Sequence, residues 1–501
     1  MQNISFCIII IVLTGYYVHL GGLDMSMPDW VAAYKGPGKE IKEQNGRFYL
    51  YERTTVYDKE KKRAKKISGA YLGRITENGL IPKNSCLVSA EPKPDVEYGA
   101  SKLLLDMSGD IRTELQKRFP ECWRYIYVLA LLRIVSMEPF KRLHEGYVRS
   151  FLSVELPGLD LSSKAMSGFL AALGDRRPAM VDFMKGFVSG TEYILFDGTR
   201  IPSHSDNMLN AKQGYCHTPD YSPQVNLMYA FSLKPEAAPV YYRTFAGNIC
   251  DVSSFREAVA ESGVKDMVVI ADKGFGSDYN FKMMDSCGLK YIVPLRRNSR
   301  YFNKDRIGAR DYKGTFLFND RPVWFFEEII KDADGNAAGK VFTYLDKDLE
   351  LREQRDYMSR IASHVDGYTE EGLFERAGKM GVLLIRTNIE ADGRNVYEFY
   401  KKRAAIEESF DVLKNTLEAD VSYMQKDVSF EAWAFINHIS LMIIYRLYSR
   451  MKDAEMLQKF SIRDCIFYLS GIRKQLQGKE WKTTIITKKT AKVLELLGLK
   501  V

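Results

Sequence analysis

Three acidic residues are placed so that their carboxylates could form one metal-binding group. Asp197 ends a predicted strand that begins at Thr191, and Asp272 ends the apolar run 267–271. Chemistry on α/β sheets usually gathers at such strand ends. Glu407 lies on a predicted helix and is expected to join them. Three converging carboxylates offer the hard oxygen ligands that Mg²⁺ and Mn²⁺ prefer. An aspartate after a strand is also commonly a turn residue or helix cap, so this alternative stays open for each one alone.

The third carboxylate belongs to a predicted helix, residues 395–417. At about 100° per residue, one stripe of this helix carries Tyr400, Arg403, Glu407 and Lys414. A continuous apolar face borders the stripe: Phe399, Ile406, Phe410, Leu413 and Leu417. This face predicts that the helix packs on the sheet with its polar stripe at the edge of the buried face.

In that arrangement Glu407 meets the two aspartates, and Arg403 and Lys414 point toward the same place. Glu408 is about 100° away around the helix and is predicted to be the solvated carboxylate. The alternative is a surface helix whose acidic and basic residues form ordinary ion pairs.

Composition indicates a folded protein with a polyanionic partner. The chain has 501 residues, of which 46% are hydrophobic and 27% charged, and its net charge is +8. This balance excludes a disordered chain and favours, without proving, nucleic acid as the partner. Seven scattered cysteines without a CxxC pair argue against a disulfide framework and a thiolate zinc site, and fit a reducing compartment.

The amino terminus has three interpretations. Residues 4–20 are apolar, but no Lys or Arg precedes Lys35, so the basic region of a signal peptide is missing. The run is also short for a membrane span. Residues 1–26 are therefore an untranslated stretch before a start at Met25, a buried or disordered extension, or a membrane signal.

The remaining chain divides by pattern. Residues 27–95 predict a β-hairpin, 47–57 with 69–75, whose connecting loop is basic and includes Lys61, Lys62 and Arg63. That loop is interpreted either as a phosphate-backbone contact or as a solvated loop. Residues 96–190 predict a helical DNA-binding region, with a helix-turn-helix-like element after Leu161.

An α/β (α+β) catalytic domain is predicted over 191–295 and 389–451. Its strands 191–197, 225–233 and 238–247 form an antiparallel meander, followed by alternating helices and strands in a mixed sheet flanked by helices. Residues 296–388 predict a mostly β insertion with one charged helix, 349–364. The apolar segment 430–451 is interpreted as a core helix, and 452–501 as a helical basic tail.

The ordered motifs resemble one known family. Asp197-Gly198-Thr199, then Asp272-Lys273-Gly274-Phe275, then Tyr400-x2-Arg403-x3-Glu407-x6-Lys414 are similar to the DDE transposases of bacterial insertion sequences. The last motif matches the insertion-sequence-four-like branch, which a Tyr-Arg-Glu-Lys signature marks. The resemblance covers roughly residues 190–450.

The resemblance implies a ribonuclease H-like fold and a transposase that cuts and joins DNA. It implies that Asp197, Asp272 and Glu407 are both the catalytic residues and the ligands of two Mg²⁺ or Mn²⁺ ions. Arg403 and Lys414 are then expected to hold phosphate oxygens, and Tyr400 either binds a phosphate or packs. In the insertion, Trp324 is the candidate for stacking on a flipped base, with a buried core tryptophan as the alternative.

The partners expected from this resemblance are the terminal inverted repeats of the element, target DNA and a second copy of the chain. The expected location is the bacterial cytoplasm, at the nucleoid. Two other functions stay open. One is a ribonuclease H-like nuclease or resolvase that cuts without joining, and the other is a catalytically inactive DNA-binding relative.

Overall fold

The structure is a computed structural model that describes most of the chain beyond residue 26. The described residues are 27–58, 62–77, 79–83, 95–214, 223–234, 238–249, 251–265, 267–331, 337–403, 417, 422–478, 480–484 and 486–499. Two compact units are present, Met1–Glu91 and Pro92–Val501. The apolar extension predicted over 1–26 and the basic residue Lys61 lie outside the described residues.

The first unit is built on a four-stranded antiparallel sheet. It consists of α1 (Asp29–Ala32), β1 (Lys39–Gln44), β2 (Arg47–Asp58), β3 (Arg63–Thr76) and β4 (Gly79–Pro82). Its small core contains Val31, Leu50 and Ile75. The predicted hairpin is present, but its strands are longer than expected. Arg63 starts β3 and pairs with Asp58, so most of the predicted basic loop is strand.

The second unit begins with a short strand and seven helices. Their bounds are β5 (Asp95–Glu97), α2 (Gly99–Met107), α3 (Gly109–Arg118), α4 (Trp123–Val135), α5 (Leu143–Arg149), α6 (Leu152–Glu155), α7 (Ser163–Gly174) and α8 (Arg177–Val188). Helix α4 is buried continuously from Ile126 to Ile134. The predicted serine cap of α7 is Ser162, whose side chain accepts a hydrogen bond from the Ala165 amide.

A long mixed sheet follows. Its elements are β6 (Tyr193–Pro202), β7 (Gln224–Lys234), β8 (Ala238–Ala246), α9 (Asp251–Ser262), β9 (Val268–Ala271), α10 (Asp278–Ser286), β10 (Lys290–Leu295), α11 (Lys304–Ala309), β11 (Gly314–Phe318), β12 (Arg321–Lys331), β13 (Ala337–Asp346), α12 (Lys347–Ala362), α13 (Glu370–Ala377), β14 (Val382–Thr387) and α14 (Gly393–Lys401). The strand order is β11-β12-β13-β14-β10-β9-β6-β7-β8. The predicted meander β6-β7-β8 is confirmed as antiparallel, and β9 pairs in parallel with β6 and with β10.

The strands of the predicted insertion continue this sheet. Strand β14 pairs with β10, and β13, β12 and β11 extend the array outward from β14. The charged helix predicted over 349–364 is α12. Residues 296–388 are thus joined to the remainder of the sheet by backbone hydrogen bonds.

Helices lie on both faces of the sheet. Phe196 and Asp197 are neighbours on β6 and therefore point to opposite faces. The Phe196 ring contacts Phe255 of α9 edge-on, with 5.4 Å between centroids. On the Asp197 face, Tyr229 and Tyr242 lie next to His438 of α15 (Asp427–Asp453).

Helix α15 is long and apolar enough to cross a membrane, but 83% of its most apolar 18-residue window is buried inside the protein. It contacts α4, α7 and β8, as expected for a core helix. His438 is fully buried, and neither ring nitrogen has a hydrogen-bond partner among the described residues. The hydrogen bond expected for a core histidine is therefore not formed there.

A half-buried ion-pair network holds three helices to β8. Arg177 at the start of α8 contacts Glu261 of α9 and Glu431 of α15, each at 2.7 Å. Tyr242 and Thr244 of β8 donate hydrogen bonds to the Glu431 carboxylate at 2.8 and 2.6 Å. Because Arg177 is engaged in this network, it belongs to the fold and is not an outward basic residue of a helix-turn-helix.

The chain ends in a mixed segment. Its elements are α16 (Ile462–Ser470), β15 (Arg473–Gln477), β16 (Glu480–Thr483) and α17 (Lys488–Leu496). The segment predicted as a helical tail also contains two strands, because β5 offers an edge on which β15 pairs. The Lys474 ammonium also lies 3.7 Å above the Tyr98 ring, which fixes the first residues of β15.

Candidate active site

Parallel pairing of β6 with β9 brings the two predicted aspartates together. The register runs Tyr193↔Val268, Ile194↔Val269, Leu195↔Ile270 and Phe196↔Ala271. Asp197 and Asp272 are the next residue on each strand, so the same register sets them side by side. The prediction that Asp272 follows a strand is confirmed, since β9 ends at Ala271.

The prediction that Asp197 ends its strand is wrong. Strand β6 continues to Pro202, and Asp197 lies in its middle, opposite Tyr229 of β7. The physical reason is that β7 supplies backbone partners along the whole length of β6, whereas β9 stops at Ala271. Asp197 therefore lies where one neighbouring strand continues and the other ends.

Helix α14 is docked on the same face as Asp197. Residues four apart on a strand share a face, so Tyr193 and Asp197 point the same way. The Tyr193 ring stacks on Phe399 of α14, with 4.2 Å between centroids and 19° between planes. This contact agrees with the prediction that the apolar face beside Tyr400 and Arg403 packs on the sheet.

Four further contacts fix the position of α14. Asp392 caps its first turn by accepting a hydrogen bond from the Asn395 amide at 2.8 Å. The Tyr397 hydroxyl donates to Asp346 of β13 at 2.5 Å, and the Lys401 ammonium contacts the same carboxylate at 3.0 Å. A Cβ on Gly393 would lie 2.4 Å from the Phe325 ring, so the helix approaches β12 too closely for a larger residue.

The Arg403 guanidinium lies between the two aspartates. Its Nη1 donates to Asp272 Oδ1 at 2.7 Å, and its Nη2 lies 3.6 Å from Asp197 Oδ2. The Tyr400 hydroxyl is 3.4 Å from Nη1. The side chain of Arg403 is 18% exposed, that of Asp197 14% and that of Asp272 27%. The charge cluster is therefore mostly buried, but part of each side chain reaches the solvent.

Burial changes the protonation of this cluster. Loss of hydration raises the pKa of Asp197 to about 6, although Arg403 and a hydrogen bond from the Gly198 amide act in the opposite direction. Burial alone would lower the pKa of Arg403, but the two carboxylates raise it above its usual range. The site therefore stabilises a positive charge between the aspartates.

The helix predicted over 395–417 is interrupted after Lys401, and residues 404–416 lie outside the described residues. Helix α14 ends at Lys401, and the Arg403 amide bonds to the Tyr400 carbonyl three residues back, as in a tighter turn. The turn places Arg403 where its side chain reaches both carboxylates. Glu407 and Lys414 lie outside the described residues.

Two half-buried carboxylates fit the chemistry of a divalent cation. They already hold a guanidinium, and their oxygens are the hard donors that Mg²⁺ and Mn²⁺ prefer. Within the part of the chain that the structure describes, no group of three or more His, Cys, Asp or Glu side chains is arranged around a metal site. Asp197 and Asp272 supply two of the three predicted ligands.

The other predicted binding residues that the structure describes are Trp324, Lys62 and Arg63. Trp324 is half-buried on β12, between Thr315 of β11 and Leu345 of β13. Lys62 and Arg63 are exposed in the first unit, where Lys62 has a positive φ of 47° in the connection between β2 and β3. Within the long sheet, the strands β13, β14 and β10 separate Trp324 on β12 from the strands that carry the aspartates.

Tyr193 is a site residue that the sequence interpretation missed. Its signal is weak, because an aromatic residue four positions before an aspartate on a strand is usually only part of the core. Its importance follows from the stack with Phe399, which is a long-range contact that local patterns do not predict.

A known protein family matches the part of the chain that contains the two aspartates. Residues 189–443, just over half of the chain, match a family model described as the transposase DDE domain. The chain belongs to this family. The matched span of the transposase contains Asp197, Asp272, Arg403 and Glu407.

A search of curated proteins found no match to this transposase. Among solved structures, a cryo-EM structure of a piggyBac transposase synaptic complex with hairpin DNA is similar over 69% of this chain and 70% of that chain. The sequence identity is 9% and the TM-score is 0.33.

Proposed function

We propose that this transposase cleaves DNA at the ends of its own insertion element and transfers the freed strands into target DNA. The observation that carries the proposal is the pair of aspartates set side by side by β6 and β9, with Arg403 between them. The proposed fold of this region is ribonuclease H-like. The strand order β8-β7-β6-β9-β10, with three antiparallel strands followed by two parallel ones, supports it.

Asp197, Asp272 and Glu407 are proposed to hold two Mg²⁺ or Mn²⁺ ions. When bound, such ions activate a water or a DNA 3′-hydroxyl on one side of a phosphodiester and stabilise the leaving oxygen on the other. The aspartates contribute fixed carboxylate oxygens, because Asp197 lies within β6 and Asp272 directly follows its paired strand β9. A site on paired strands positions its ligands more rigidly than a site on loops.

Arg403 has a second proposed role. The planar guanidinium that now bridges the aspartates is suited to hold two non-bridging oxygens of a phosphate. Tyr400 lies beside it and is proposed to orient it or to bind the same phosphate. Lys414 is proposed to add a point charge to this phosphate.

The finer classification is also a proposal. The Tyr-Arg-Glu-Lys signature supports the insertion-sequence-four-like branch, and the need to hold two element ends supports a homodimer on DNA. Trp324 is proposed to stack on a flipped base, and Lys61, Lys62 and Arg63 to contact DNA. The proposed location is the bacterial cytoplasm, where a chain without a disulfide framework meets nucleoid DNA.

The deciding experiment measures cleavage and joining by the protein started at Met25. The substrate is DNA that carries the sequences flanking its own gene, with and without Mg²⁺ or Mn²⁺. Cleavage at a fixed boundary and strand transfer are expected for the wild type and are expected to be lost in Glu407→Gln. Glu408→Gln is the matched control and is expected to remain active.

Other outcomes would favour the alternatives. Cleavage without joining would support the nuclease or resolvase. Sequence-specific binding without cleavage would support an inactive DNA-binding relative. Activity in Glu407→Gln with loss in Glu408→Gln would show that the third ligand is misassigned.

A further inference from the structure

The hairpin of the first unit extends beyond the sheet that supports it. Strand β1 pairs with β2 only as far as Glu52, and β4 pairs with β3 only as far as Gly73. Beyond Arg53↔Ser68, the described residues of β2 and β3 pair only with each other, through five residue pairs from Thr54↔Ile67 to Asp58↔Arg63. We call residues 54–58 and 62–67 the arm. At about 3.4 Å per residue, the arm is about 17 Å long.

The arm has no buried face. Residues 54–57 and 62–67 are all exposed, including the apolar side chains of Val56, Tyr57 and Ile67, which are 52%, 62% and 42% exposed. An isolated two-stranded ribbon is only marginally stable in water. A ribbon of this kind is therefore suited to a partner that surrounds it.

Basic side chains lie on both faces of the arm. Residues directly opposite each other share a face, so Lys66 lies on the face of Thr55, whereas Lys65 and Arg63 lie on the face of Val56. With Lys62 the arm carries four basic residues, and Asp58 is its single acidic residue. None of the four basic side chains forms an ion pair with a described carboxylate, so their charge remains available to a partner.

We propose that the arm enters the major groove of DNA. The groove is about 12 Å wide and about 8.5 Å deep and admits a two-stranded ribbon. Phosphates line both walls, which explains why both faces of the arm are basic, and the base edges at the floor meet the exposed side chains near the tip. The choice of DNA as the partner rests on the proposed transposase function.

Charge distinguishes DNA from a second copy of the chain. No described strand pairs with the edges of the arm, and an unpaired edge is the usual route to edge-to-edge association. If two copies paired through this edge, Lys65 and Lys66 of one copy would face basic residues in the arm of the other copy. Lysines on an edge strand oppose such pairing, whereas they stabilise a polyanion in the same place.

Two irregularities at the base of the arm set its direction. The pairing of β2 with β3 shifts between Leu50 and Tyr51 and again between Tyr51 and Arg53. Each shift adds a residue to β3, which bends the strand and increases its twist. A Cβ on Gly69 would lie 3.0 Å from Glu52 Cβ, so the second shift brings the strands close together.

The test uses the full chain bound to DNA from the ends of its element. Dimethyl sulfate methylates guanine N7 in the major groove, so an inserted arm is expected to protect specific guanines. The Lys65→Ala/Lys66→Ala variant is expected to lose this protection. Two lost phosphate contacts are expected to reduce the slope of log K against log salt by about two.

Two controls separate the arm from other causes. Lys452→Ala/Lys459→Ala removes the same charge from exposed positions of the second unit and is expected to keep the protection. Asp272→Asn removes a proposed catalytic carboxylate and is also expected to keep it.

Several results would overturn the inference. Unchanged protection in Lys65→Ala/Lys66→Ala would overturn groove insertion while leaving the proposed function intact. A reduced salt slope with protection retained would also overturn it, because the arm would then contact phosphates only. Absence of any DNA binding by the wild type would overturn both the arm and the proposed function.

Discussion

Tyr193 of β6 and Phe399 of α14 stack with 4.2 Å between ring centroids. This contact joins the strand that carries Asp197 to the helix that leads into Arg403. The geometry of the charge cluster therefore depends on an apolar contact that takes no part in the chemistry. Substitutions of the stacked rings test the structural contribution to cleavage, and substitutions of the charged residues test the direct chemical contribution.

Replacing Phe399 by Ala is expected to lower the free energy of unfolding by about 2–3 kcal/mol, which is less than the roughly 3–5 kcal/mol of a fully buried phenylalanine because the ring is half-buried. It is also expected to slow cleavage, since α14 would no longer be held against β6. Urea unfolding and a cleavage assay measure the two effects. Phe374→Ala is the control, because that ring is 77% exposed and its loss should change stability by less than about 0.5 kcal/mol.

Replacing Asp197 or Asp272 by Asn is expected to reduce cleavage by more than about 100-fold, since changes that only surround metal ligands already cost 10–100-fold. DNA binding is expected to persist, because the amide keeps the shape of the side chain. Asp278→Asn, at an exposed position on α10, is the matched control. Cleavage by either site variant at the wild-type rate would contradict the assignment.

Replacing Arg403 by Gln is expected to tighten Mn²⁺ binding by at least about fivefold. A like charge 4 Å away costs a cation about 1 kcal/mol even at the dielectric constant of water, and Arg403 lies 2.7 Å from Asp272. Electron paramagnetic resonance of free Mn²⁺ measures the affinity without reference to activity. Arg403→Lys retains the charge and should bind Mn²⁺ as the wild type does. Weaker binding by Arg403→Gln would show that Arg403 supports the metal site.

Two glycines of α7 are expected to respond in opposite directions. A Cβ on Gly174 would lie 1.7 Å from the Val428 carbonyl oxygen of α15, so Gly174→Ala should destabilise the fold by about 3 kcal/mol. A Cβ on Gly168 would meet no heavy atom within 4 Å, and Gly168→Ala should stabilise the helix by about 0.5–1 kcal/mol. Equal effects in urea unfolding would contradict the close crossing of α7 and α15.

Glu97 is expected to make stability depend on pH. Burial raises its pKa to about 7, although hydrogen bonds from Ser101 and Ala100 act in the opposite direction. The folded state therefore binds this proton more tightly than the unfolded state. The stabilisation is fully present below about pH 4.5 and is lost as the pH rises through 7, by about 3 kcal/mol in total.

Urea unfolding of the wild type and Glu97→Gln at pH 4.5 and pH 8 measures the contribution of Glu97 to the free energy of unfolding. The wild type should lose about 3 kcal/mol relative to Glu97→Gln over that interval. Glu155→Gln, at an exposed position of α6, should follow the wild type. Parallel pH profiles for wild type and Glu97→Gln would contradict the buried proton.

Local patterns predicted most strands near the site. Strand β7 differs from the prediction by one residue at each end, and β8 is one residue shorter at its carboxyl end. Composition and alternation within each strand mark its ends in the sequence, so these ends have local causes. The positions of Asp272 and of the helix that precedes Arg403 could be predicted from the sequence for the same reason.

What sequence patterns missed depends on long-range pairing. The length of β6 is set by β7, and the attachment of the insertion is set by the pairing of β14 with β10. The end of α14 at Lys401 accompanies the contact of Arg403 with Asp272, which lies 131 residues earlier in the chain. Local periodicity contains no information on such partners.

That separation has a consequence for synthesis. At 5–20 residues per second, roughly 7–26 s pass between the emergence of Asp272 and that of Arg403. During this interval the nascent chain contains both aspartates but no counter-charge between them, so their repulsion opposes the pairing of β6 with β9. Once Arg403 has been synthesised, its charge removes this repulsion. The charge cluster of Asp197, Asp272 and Arg403 therefore becomes stable only after the ribosome has made nearly the whole domain. A prematurely terminated product would thus lack an organised site.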